Sequence, residues 1–200
     1  MTWKEIKLAT LQKMFSAEGA NINENDEAVR PYLNAMPHAA NEGLQLISAA
    51  GLRPTAWLEL EKPENTATID LTTACPQLDA TAPFAVYWMN SAGRPLLRPE
   101  ALVTAGRWLT LPWQEAGKVQ LAYAPLPPVI TLATADDLMI PLPPTAAVLL
   151  PFYMASQLYK EDDLALSTVY RNEFEAALAL LEPQPLGEQG GSFASVSGWV

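Results

Sequence analysis

The apolar positions change period twice along the chain. Near the start, Ile6, Leu8, Leu11, Met14 and Phe15 recur at helical spacing. Thr2 and Glu5 precede them as a capping box, in which each side chain satisfies a backbone N–H of the first turn. Residues 16–25 are polar, with Gly19 and three asparagines, and read as a loop. A second helix is expected from Asn25 or Asp26. Val29, Leu33, Met36, Ala40, Leu44 and Ile47 line one of its faces, Pro37 lies inside it, and Gly51 is placed to end it.

From Arg53 the period becomes two. Thr66-Ala67-Thr68-Ile69-Asp70-Leu71 alternates, as do Phe84-Ala85-Val86-Tyr87-Trp88-Met89 and Val119-Gln120-Leu121-Ala122-Tyr123. Trp108-Leu109-Thr110-Leu111 reads as a further short strand. Asn90-Ser91-Ala92-Gly93 and Glu115-Ala116-Gly117-Lys118 read as turns. Short strands at this spacing predict a small sandwich or partial barrel, ended by Pro125, Pro127 and Pro128. Helical spacing then returns. A helix is expected over 145–159, interrupted by residues 160–163, with Asp163 as the next N-cap. The last helix carries Leu166, Val169, Tyr170, Phe174, Ala177, Leu178 and Leu181 on one side, and Pro183 and Pro185 stop it.

The pattern predicts an α+β fold. Residues 1–52 and 134–182 form one helical domain built from both chain ends, because neither amphipathic pair can bury its stripe alone. Residues 53–133 form a β-rich insertion, and 183–200 an extended tail whose large apolar residues are Phe193, Val196, Trp199 and Val200.

Composition narrows the function classes. Half the residues are apolar, enough for a real core, yet no apolar run reaches the roughly 20 residues of a membrane span. The first residues lack the basic start and apolar stretch of a signal peptide. One cysteine, Cys75, excludes an internal disulfide and fits a reducing cytoplasm. The formal charge of −10, with scattered basic residues, predicts weak, non-specific DNA binding at most. His38 is the sole histidine, so His38 and Cys75 are too few for a zinc site or a nucleophilic triad. Glu161-Asp162-Asp163 lacks the alternating ligands and central glycine of a calcium loop, and reads as a helix break with an N-cap. The expectation is no enzyme, no metal and no cofactor. Trp88, Trp108 and Trp113 in the β-region read as core, with a sugar-binding face as the alternative.

One stretch is more specific. Tyr123-Ala124-Pro125-Leu126-Pro127-Pro128-Val129-Ile130 leads into Asp137-Leu138-Met139-Ile140-Pro141. Leu149-Leu150-Pro151-Phe152-Tyr153-Met154-Ala155-Ser156-Gln157-Leu158-Tyr159-Lys160-Glu161-Asp162 follows, then Tyr170-Arg171-Asn172-Glu173-Phe174. This order resembles the head-to-tail adaptor (tail tubular, neck connector) proteins of tailed bacteriophages. Those share a strand ending near a Tyr and Pro, an Asp-led loop, a helix with Tyr, Tyr and Lys-x-Asp, and a final helix ending in an aromatic. Asn41-Glu42 looks like part of the matching N-terminal helix pair. The likeness covers residues 120–175 in pattern and most of the chain in organisation. Pro151 within the helix, and the tail from Phe193 to the end, depart from it.

The resemblance implies a structural virion protein assembled in the host cytoplasm: a twelvefold ring under the portal, followed by a further neck or tail protein, through which genome DNA passes during ejection. Acidic protomers suit that role, since they repel DNA phosphate and let it slide. A rotational ring also requires two different complementary patches on each protomer. Phe193, Val196, Trp199 and Val200 are then the expected partner-binding residues, docking on the portal or an adjacent adaptor. The alternative reading is a β-sandwich carbohydrate- or receptor-binding module with a helical attachment domain.

Overall fold

The structure, a computed structural model, describes residues 1–15, 26–65, 68–79, 82, 84–104 and 108–181. In chain order its elements are α1 (Trp3–Phe15), α2 (Arg30–Ala49), β1 (Ala56–Lys62), β2 (Thr68–Asp70), α3 (Leu71–Ala74), β3 (Phe84–Met89), β4 (Pro95–Leu97), β5 (Leu102–Thr104), β6 (Trp108–Thr110), β7 (Gly117–Tyr123), α4 (Pro144–Ala147), α5 (Leu150–Leu158) and α6 (Leu164–Ala179). The fold is α+β, and its sheets are antiparallel. Contacts divide the chain into two compact units. Met1–Pro54 with residues 126–181 is helical, and Thr55–Pro125 holds the sheets.

In the helical unit α5 packs on α1, α2 and α6. The core is made of Ile6, Leu11, Met36, Leu44, Ile47, Leu150, Met154 and Phe174, all buried, with Leu33 and Phe152 packed against it. Burying each such side chain contributes roughly 1.5–3 kcal/mol relative to exposure. The capping box at Thr2 and Glu5 forms in both directions, at 2.8 and 3.2 Å. Thr10 is buried within the stripe but satisfied, because its hydroxyl donates to the Ile6 carbonyl at 2.8 Å. α2 approaches α5 at Gly43, where a Cβ would lie 2.6 Å from Leu150 Cδ1 and 2.9 Å from Tyr153 Cδ1. Gly51 closes α2 at φ 82°, a left-handed conformation that glycine adopts without a Cβ clash.

Three expectations are corrected here. α2 begins at Arg30, not at residue 25 or 26. Asp26 instead closes a preceding turn, its carboxylate accepting from Ala28 N and its carbonyl from Val29 N and Arg30 N. The helix expected over 145–159 is two helices. Pro151 has no N–H to give to a preceding turn, so it sits in the first turn of a new helix, α5, where none is needed. Residues 126–133, expected to belong to the 53–133 β insertion, group with the helices. Asn41 of α2 is the cause. Its amide donates to the Ile130 carbonyl and accepts from the Ile130 N–H, both at 2.8 Å, and Ile130 is buried in the helical core.

The β-unit has a four-stranded sheet, in order β1-β7-β3-β4, and a three-stranded sheet, β2-β6-β5. Leu58, Leu121 and Val86 stand in one cross-strand row and face a shared core with Leu109 and Leu111. Lys62, at the end of β1, is buried in this unit. Its ammonium donates to the carbonyls of Pro63, Gln114 and Glu115 at 3.1–3.4 Å and so fastens the strand end to the 114–115 loop. Cys75 is buried and in no disulfide.

Candidate assembly surfaces

The residues that carry the sequence resemblance converge on the joints between helices. Two tyrosine hydroxyls cap the C-terminal carbonyls of α1. Tyr170 donates to Lys13 O at 2.6 Å and Tyr159 donates to Met14 O. Their rings stack, 6.1 Å apart and 7° from parallel. Tyr153 of α5 donates to the Glu42 carboxylate of α2 at 3.1 Å, and the other Glu42 oxygen lies 3.2 Å from His38 Nε2. Tyr32 donates to Asp162 at 2.5 Å. Asp163 caps α6, accepting from Ala165 N and Leu166 N. These side chains hold the helices together.

Electrostatics agree with that role. Burial pushes the Tyr153, Tyr159 and Tyr170 hydroxyls above the ordinary tyrosine range, and neighbouring carboxylates add to it. The hydrogen bond to Asp162 does the same for Tyr32. Burial lowers Lys13, whose ammonium sits 3.3 Å from the Phe152 ring centre, and Glu173 opposes that shift. In the β-unit, burial and a hydrogen bond with Cys75 push Tyr123 up to about 12.

The residues singled out for chemistry come apart. His38 is exposed on α2 and Cys75 is buried in the β-unit core. Among the described residues no three potential ligands gather around a metal position. Glu161-Asp162-Asp163 serves as a turn and cap. Trp88 and Trp113 meet edge to face at 5.9 Å, half-buried, while Trp108 is exposed. The four tail residues Phe193, Val196, Trp199 and Val200 lie outside the described residues.

Uncovered apolar surface was not foreseen at several places. On α6 the expected inward side is corrected. Phe174, Ala177, Leu178 and Leu181 face the core, but Leu166 and Val169 are exposed, with Leu180 83% exposed. The loop between the units' last strand and α4 presents Val129, Leu132 (70%) and Met139 (62%). On the four-stranded sheet, Trp57 is 55% exposed beside Tyr87, ring centres 5.5 Å apart. A cleft of about 530 Å³ opens between the start of α2 and the end of α5, walled by Pro31, Tyr32, Ala35 and Leu158 with Glu27 and Glu161. A period alone does not tell an outward apolar stripe from an inward one, which is why these faces escape the sequence.

Compared with protein-family models and with curated proteins, the sequence matches none.

Proposed function

We propose that this chain is a non-enzymatic structural protein of a tailed-phage virion, a head-to-tail adaptor that forms a twelvefold ring below the portal and leaves a passage for DNA. One observation carries the reading. The Tyr, Asn and Asp positions of the resemblance brace the helical unit from inside, while its outer faces keep large apolar side chains in water. Large apolar side chains left in water mark places where other proteins sit when they lie together as a patch. The −10 charge supports a passage that DNA crosses without sticking. The tail residues Phe193, Val196, Trp199 and Val200 contribute anchors for the portal or a neighbouring copy.

The test is co-assembly. Purified chain mixed with the portal of the same phage is to co-migrate as one particle with a fixed multiple of this chain. Separate migration at every concentration rejects the reading. A second reading, a carbohydrate-binding β-module, is favoured by the exposed Trp57 beside Tyr87, since aromatic faces stack on sugar rings. Binding of the whole chain to a glycan array, lost in Trp57→Ala, would favour it over the adaptor.

A further inference from the structure

α2 packs tightly on α5 at Gly43, where Leu150 and Tyr153 leave no room for a Cβ. Toward the start of α2 the two helices part. Pro31 and Tyr32 stand one turn before Ala35 on the same face of α2. Pro31 and Ala35 are short, so this wall stands back from Leu158, and the cleft of about 530 Å³ is the space left. That volume suits a binding site. The hydrogen bond from Tyr32 to Asp162, at 2.5 Å, ties one wall to the other. The groove is therefore formed before anything enters it, which lowers the cost of binding.

Its apolar walls end in a charged rim. Glu27 stands on the α2 side and Glu161 and Asp162 on the α5 side, against one cation, Lys160. Arg30 does not line the cleft. Among the described residues, the side chains of Glu27, Glu161 and Lys160 enter no hydrogen bond or ion pair. Three carboxylates facing one ammonium leave the groove short of positive charge.

The sequence narrows what can supply it. Residues 16–25 and 182–200 of this chain contain no Lys or Arg and two Glu each, so either would bring like charge to the rim. A second copy brings a formal −10, and like-charge juxtaposition costs affinity. A free small cation is poorly held, because ligand sites of this size bury roughly 70–90% of their ligand. Here Glu27, Pro31, Ala35, Glu161 and Asp162 are all exposed. A chain segment that runs on past the rim gains contacts a free cation lacks. Arginine suits both parts of the groove. Its stem covers apolar surface while its head stays at the rim. Its planar guanidinium pairs with carboxylates in two places and stacks on aromatic rings such as Tyr32.

We propose that this cleft docks an arginine carried on an apolar segment of another protein, with the stem against Pro31, Ala35 and Leu158 and the guanidinium at the carboxylates of Glu27 and Glu161. The site does not depend on the ring reading above.

Selection from a random peptide library, with the full-length chain as bait, tests it. The bound pool is to be enriched in arginine beside apolar residues. A selected peptide is to lose about two- to fivefold in affinity for Glu27→Gln or Glu161→Gln, the range of an exposed ion pair. Ala35→Trp, which fills the cleft from an exposed position, is to abolish binding at an unchanged melting temperature. On the wild-type chain, the same peptide with citrulline for arginine is to bind more weakly, and agmatine, a free alkylguanidinium, is to compete only far above the peptide's concentration. No binders, a pool without basic residues, or binders indifferent to Ala35→Trp overturn the proposal. Equal binding of the citrulline peptide overturns it even where Ala35→Trp fails to fold. Agmatine as tight as the peptide makes the ligand a free cation and also overturns it. So does self-association of the wild-type chain that Glu161→Gln alters, since a second copy then occupies the cleft.

Discussion

Asn41 has two hydrogen bonds to one residue 89 positions away, and together they hold the loop before α4 against the helices. Asn41→Ala removes both and strands the N–H and carbonyl of buried Ile130. Leaving buried polar groups unpaired costs about 1–3 kcal/mol, so chemical denaturation is to show a loss in that range. Asn41→Asp keeps the acceptor, loses the donor, and is to fall between. The tyrosines make a second residue-scale prediction. Tyr32, Tyr123, Tyr153, Tyr159 and Tyr170 all have hydroxyl pKa values raised in the fold, Tyr123 to about 12. A raised folded pKa means the native state holds its proton more tightly than the unfolded chain. The stability from these groups is complete below pH 10, and it declines as pH rises through the folded values. The melting temperature is therefore to fall on going from pH 9 to 12, and more gently in Tyr123→Phe. A flat profile would show that these hydroxyls are not bound as described.

At the scale of elements, the helices α1, α2 and α6 are legible because long apolar stripes need many agreeing residues. Breaks are less legible. Nothing in the period around Pro151 says whether it kinks one helix or starts another. The missing N–H decides for a new start: the Leu149 carbonyl opens α5, accepting from Phe152 N and Tyr153 N, and Pro151 lies in that first turn. β1 is not among the strands picked out above, although Leu58 and Leu60 alternate with Trp57, Glu59 and Glu61. Pro54 and Pro63 bracket it and make it resemble connecting chain. β4 and β5 have three residues each, too short to show a period. The joint of α2 and α5 gives the element-scale prediction. Gly43→Ala drives a methyl into Leu150 and Tyr153, and overpacking of this kind costs typically about 1–3 kcal/mol. A thermal shift assay is to show the loss; an unchanged melting temperature would mean the two helices can part at no cost.

For the whole molecule, the candidate surfaces were the least legible feature. Leu166 and Val169 belong to an apolar pattern that also includes core residues, and only the placement of α5 shows that they face out. Interaction faces and core stripes use the same residue types, so a single chain's sequence does not separate them. The tail argues at this scale too. Deleting residues 187–200 removes Phe193, Val196, Trp199 and Val200; the melting temperature is to stay unchanged while binding to the portal is lost. A destabilised chain, or normal assembly, would remove those residues from the interface. Duplex DNA affinity at physiological salt is to be no tighter than the roughly 10⁻⁴–10⁻⁶ M of non-specific contacts, and a sub-micromolar value would conflict with an inert passage. The central claim is most directly tested by negative-stain microscopy of the purified chain assembled with its portal. The account predicts a closed ring of this chain, coaxial with the portal and open at its centre. Particles in which the chain is absent from the portal axis, or joined as open filaments, would contradict it.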